Sequence, residues 1–164
     1  MDFSSTLPLP TPTLISLGGV RDRNGLSDNR RPRVENWQAV LRFEISRHLN
    51  QPFVWGVSDC CMAADVVMAM TGFDPIASMR GYRSGHEARA ALRQNHFDSA
   101  QDFIEQNFDE IPMARAQRGD LVFPSGEIPP LMSPAILDGV AAYSKGLSGS
   151  VIVPRELCAR AFAV

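Results

Sequence analysis

A change of hydrophobic period partway along the chain is the strongest constraint on its fold. Before about residue 110 the apolar residues recur at helical spacing. Beyond Ile111-Pro112 they come in short runs, Gly119-Asp-Leu-Val-Phe123, Ala135-Ile-Leu137, Val140-Ala-Ala-Tyr143 and Ser150-Val-Ile-Val153, divided by Gly, Pro, Ser and Asp-Gly turn signals. Helices first and strands second predict an α+β domain, N-terminal helices packed on a C-terminal antiparallel sheet, with Asp138-Gly139 as a hairpin turn.

Four helices are predicted. Asn36 is placed to cap the first, whose Trp37, Val40, Leu41, Ile45 and Leu49 share a face ahead of Pro52. The second runs from about Cys60 to Thr71, with Ala63, Val66, Val67 and Met70 on one face and Gly72 as its stop. Ser84 and Glu87 form a capping box for the third, and a short fourth spans about Ala100 to Asn107. Pro154 to Cys158 reads as a short helix before a closing strand over Arg160 to Val164.

Composition divides the chain at its start. Residues 1–35 are rich in Pro, Ser, Thr, Gly and Arg and form an extended or disordered N-terminal arm; residues 36–164 form the domain. Two readings of the arm stand. It is a disordered leader, or it orders on a neighbouring subunit, with Leu14, Ile15, Leu17 and Val20 buried there and Arg30, Arg31 and Arg33 meeting acidic groups of the partner.

With 164 residues, 45% hydrophobic and 21% charged, the chain has the ordinary composition of one soluble domain. A net charge near −2 carries no basic excess for a polyanion, so nucleic-acid binding is disfavoured. Met1 to Pro12 lack the basic start and apolar run of a secretory signal, and no apolar stretch nears the roughly 20 residues of a membrane span. The chain is therefore expected to be made in the cytoplasm. Three cysteines, two of them adjacent, suit neither a disulfide framework nor a CxxC knuckle, so no metal and no cofactor is expected.

The chemistry centres on Gln51-Pro-Phe-Val-Trp-Gly-Val-Ser-Asp-Cys-Cys-Met-Ala-Ala-Asp65, where an aromatic, glycine-containing run meets the second helix. If Ser58 or Asp59 caps that helix, Cys60 falls in its first turn, where free amide donors and the helix dipole favour a thiolate. Cys60 is thus the candidate nucleophile. It has a bland alternative as well, because free cysteines are among the most buried residues and Cys60 and Cys61 can be small apolar groups under the sheet.

Trp55-Gly56, Asp59-Cys60, a helix ending at Gly72, Tyr82-Arg83-Ser84, Gly119-Asp-Leu-Val-Phe123 and the Ala135-Ile-Leu-Asp-Gly139 strand and turn follow one another in an order that resembles the NlpC-like cysteine peptidases. The match is nearer to the NlpC-like proteins of tailed-phage tail modules. It covers about Trp37 to Val164 and leaves the arm unmatched. The resemblance implies a papain-like fold, Cys60 as nucleophile, and either a tail-tip component docked to hub proteins in the virion tail or a peptidase cleaving host peptidoglycan during entry.

The family's histidine does not carry over. Aligned on Gly139, its place falls at Ser133, and a serine cannot serve as general base near neutral pH. A polar third member is likewise missing from Val140-Ala-Ala-Tyr143. His48 reads as a surface or helix-end residue, and His86 and His96 as solvated groups flanking the third helix. Whether the chain is an enzyme is left open between a catalytically degenerate structural protein and an active cysteine peptidase. Among weaker signals, Asp65 reads as solvated, Asp120 as a turn or cap, Cys158 as core, and Glu105, Asp109 and Glu110 as an acidic cluster without metal partners.

Overall fold

A computed structural model of the chain describes residues 30–125 and 134–164. Among the described residues four α-helices, α1 (Trp37–Leu49), α2 (Met62–Thr71), α3 (Gly85–Gln94) and α4 (Ala100–Asn107), precede a six-stranded antiparallel sheet. The strands are β1 (Glu110–Ile111), β2 (Leu121–Pro124), β3 (Ala135–Asp138), β4 (Ala141–Gly146), β5 (Gly149–Pro154) and β6 (Cys158–Phe162), in the order β1-β6-β2-β3-β4-β5. This is the expected α+β arrangement of helices on a C-terminal sheet.

The strands are set by alternation. Leu121 pairs with Ile136 on one side and Phe162 on the other, and Ile136 pairs with Tyr143. These residues, with Phe123, share one face and meet Met62, Ala63, Val66, Val67 and Met70 of α2 and Leu41 and Ile45 of α1 in the main core. Val122, Ala135, Leu137, Ala142, Val153 and Ala161 point to the opposite face, covered by Ile111, Met113 and Ala116. Each large apolar side chain so enclosed contributes roughly 1.5–3 kcal/mol. No helix among the described residues is long and apolar enough to cross a membrane.

Helix ends mostly follow local chemistry. Gly72, at φ +73°, ends α2 with its amide on the Met68 carbonyl. The Ser84 hydroxyl accepts from the Glu87 amide, while the Glu87 carboxylate accepts from the Arg83 amide, one residue ahead of its place in a standard box. Ser99 and Asp102 repeat the device at α4, with Asp98 as the amide donor. Asn36 stands at the start of α1 but makes no side-chain cap.

The closing strand is Cys158–Phe162 rather than Arg160 to Val164, because a single turn at Arg155–Leu157 releases the chain earlier. Val164 instead donates its amide to the Asp120 carboxylate. Lys145, buried on β4, donates through Nζ to the carbonyls of His48 and Gln51, fixing the C-terminal end of α1 to the sheet.

The basic end of the arm makes contacts within the chain. Arg30 and Arg33 pair with Asp120 of the same chain, Arg31 lies 3.6 Å over the Phe73 ring and Arg33 4.3 Å over Trp37. These contacts hold Arg30, Arg31 and Arg33 against the domain. Leu14, Ile15, Leu17 and Val20 lie outside the described residues, as does Ser133.

Candidate functional site

The segment before α2 folds back on itself. Val54 bridges Ser58, and Gly56 takes a φ of +72° between them. Asp59, only 2% exposed, holds the turn closed: its Oδ2 accepts the Gly56 amide at 2.6 Å and its Oδ1 the Cys61 amide at 2.8 Å. The Asp59 carbonyl then accepts the Met62 amide, the first reverse turn into the helix.

This geometry corrects the expected placement of Cys60. The residue at the helix start is Cys61, and Cys60 sits one position before it, in the turn rather than in the first helical turn. The Asp59 carboxylate, not a thiolate, occupies the amide donor there.

Tyr82 completes the cluster. Its hydroxyl lies 2.6 Å from the Cys61 Sγ. The thiols are unequal. A hydrogen bond from Cys61 lowers the pKa of Cys60 against the opposing effects of burial and of the Asp59 charge, with its own backbone amide adding to the lowering. Donating that bond, together with burial, pushes the Cys61 thiol far up, and burial does the same to the Tyr82 phenol. Cys60 is therefore the thiol that ionises first.

Both cysteines line a cleft of about 580 Å³ between the helices and the β4–β5 hairpin, walled by Trp55, Tyr82, Leu121 and Pro134. Trp55 stands edge-on to Phe53 and Tyr82, at 4.9 and 6.4 Å between ring centroids. The Asp59 carboxylate and the Sγ atoms of Cys60 and Cys61 lie within 4.8 Å of one another, a set of donors that could hold a metal ion.

All three histidines are described, and none lines this cleft. His86 and His96 are exposed, as expected. His48 is not: it is fully buried, with Nε2 3.3 Å from the Asp65 Oδ2 and 3.0 Å from an Arg47 nitrogen. Asp65 is accordingly half-buried rather than solvated, and is also paired with Arg80 at 2.8 Å. Burial would raise its carboxyl, but the hydrogen bonds from His48 and Arg80 and their charges outweigh that and lower it.

The remaining candidates are structural. Asp120 is fully buried and braces its turn by accepting the Gln117 amide at 2.7 Å, besides its arginine pairs. Glu105 and Glu110 are bridged by Arg160. Cys158 is buried in the second core, its thiol raised by burial.

Residues 32–164 match the family model described as "Domain of unknown function (DUF6950)". No curated protein matches the sequence. Among solved structures, the chain is similar to the crystal structure of the NlpC/p60 domain of the peptidoglycan hydrolase SagA, with 18% identity over 77% of this chain and 97% of that chain, at a TM-score of 0.48.

Proposed function

The chain belongs to the DUF6950 family, a domain of unknown function, and we propose that it is an NlpC-like component of a phage tail tip or phage-like particle that has kept the peptidase cleft without the peptidase reaction. One observation carries the second half of this reading: Cys60 opens into a cleft that no histidine of the chain lines. A thiol hydrolase needs a group that takes the thiol proton and returns it to the leaving amine. His48 is committed to Asp65 and His86 and His96 face solvent. Lack of a positioned base costs about 10² to 10⁴ in rate.

The tail assignment is supported by the order of Trp55-Gly56, Asp59-Cys60, Tyr82-Arg83-Ser84 and Gly119-Asp-Leu-Val-Phe123, and by an apolar-studded N-terminal segment suited to lying across another protein. In this reading residues 1–29 dock the domain to hub proteins, while Arg30 and Arg33 tie that segment to the domain through Asp120.

Zymography and muropeptide release with the purified protein test the chemistry. No cleavage above that of Cys60→Ala is expected, and robust cleavage abolished by Cys60→Ala overturns the reading. Deleting residues 1–29 tests the docking: the remainder is expected to fold by circular dichroism yet fail to enter particles, and normal incorporation refutes the role. The second reading, an active cysteine peptidase acting on peptidoglycan, is favoured by the lowered Cys60 thiol alone.

A further inference from the structure

We propose that Asp59, Cys60 and Cys61 form a binding site for one thiophilic divalent cation, Zn²⁺ by its ligand chemistry, with the fourth coordination position open to the cleft. The inference is independent of whether the protein cuts peptide bonds. It gives the paired thiols a role as ligands rather than as a nucleophile and its neighbour.

The donor set is compact. A carboxylate oxygen and two Sγ atoms lie within 4.8 Å of one another. Tetrahedral zinc, with Zn–S near 2.3 Å and Zn–O near 2.1 Å, places its donors roughly 3.6–3.8 Å apart. The difference of about 1 Å lies within the reach of small χ rotations. Two sulfurs and one carboxylate suit zinc or another thiophilic ion; magnesium and calcium take oxygen donors instead.

The donors are also held in place. Both Asp59 oxygens are anchored by backbone amides, from Gly56 and Cys61, and each retains a lone pair for a cation. The Tyr82 hydroxyl lies 2.6 Å from the Cys61 Sγ, the kind of outer support that orients a metal ligand. Cys60 and Cys61 both face the cleft, so an ion bound there has three protein ligands and an accessible fourth side. Binding replaces two S–H bonds by two S–metal bonds and releases two protons.

The test uses the full, reduced chain, stripped with a chelator and titrated with Cd²⁺ as the spectroscopic probe, followed by competition with Zn²⁺. One Cd²⁺ per chain is expected, with a sulfur-to-cadmium charge-transfer absorption, about two protons released, and displacement by Zn²⁺ with a Kd at or below about 1 μM. Cys60→Ser and Cys61→Ser each abolish the band, Cys158→Ser retains it, and Tyr82→Phe weakens binding about 10- to 100-fold. A second measurement needs no variant: Zn²⁺ should protect the peptide carrying Cys60 and Cys61 from maleimide labelling. Absence of the band, its survival in a chain carrying both Cys60→Ser and Cys61→Ser, or labelling unchanged by Zn²⁺ overturns the proposal.

Discussion

The Arg33 guanidinium reaches the Asp120 carboxylate at 3.3 Å across 87 residues of chain. The same carboxylate takes Arg30, the Gln117 amide and the Val164 amide, so one buried group ties the entry to the first helix, the turn before β2 and the end of the chain. Removing it strands several donors at once. Asp120→Ala should cost about 3–5 kcal/mol, the usual result of removing one partner of a buried ion pair. In a chain of this size that is a fall in Tm of roughly 6–20 °C, measurable by thermal circular dichroism. A fall of a degree or less would show that the cluster contributes little.

The sequence made the framework legible where the signals are local. Ser84, Gly72 and the 3.6-residue spacing of Leu41 and Ile45 each fix a helix through contacts within a turn or two, and Leu121, Phe123 and Ile136 fix strand faces by alternation. The two-residue β1 exists only through its pairing with β6, so nothing local announces it. His48 was open to recognition, since Leu41, Ile45 and His48 stand at i, i+4 and i+7 on one buried stripe. The approach of Tyr82 to Cys61, 21 residues apart, and of Arg33 to Asp120 depend on tertiary packing and leave no trace in spacing.

Stability on the acid side should carry the signature of Asp65. Its folded pKa lies below the unfolded value of about 3.9, because hydrogen bonds from His48 and Arg80 outweigh the effect of burial. The contribution is therefore fully present above the unfolded pKa and is lost as pH falls through the folded one. Asp65→Asn should lower unfolding free energy by about 1–3 kcal/mol at pH 7, with the same deficit at pH 5. Below about pH 4 the deficit should shrink toward zero. Urea titrations of both proteins across this range decide it, and a deficit that does not change down to pH 3 would mean that the carboxylate's charge is not what stabilises the fold.

Gly56 and Gly72 separate two effects that usually occur together. Both adopt the left-handed region, at φ +72° and +73°, so alanine at either is strained by about 1–2 kcal/mol. At Gly72 an added Cβ meets nothing within 4 Å, and the cost should stop there. At Gly56 the same atom would fall 2.2 Å from the Tyr82 carbonyl oxygen, a backbone atom that no side-chain rotation can clear. Gly56→Ala must therefore push Tyr82 away, adding about 1–3 kcal/mol of overpacking and loosening the phenol's contact with Cys61. The expected result is a larger loss of stability than in Gly72→Ala, together with a change in Trp55 fluorescence, since that ring stands edge-on to Tyr82. If the two alanine variants unfold at the same temperature with unchanged emission, the turn at Gly56 yields without moving Tyr82, and the close packing of these two segments does not hold the cysteine cluster in place.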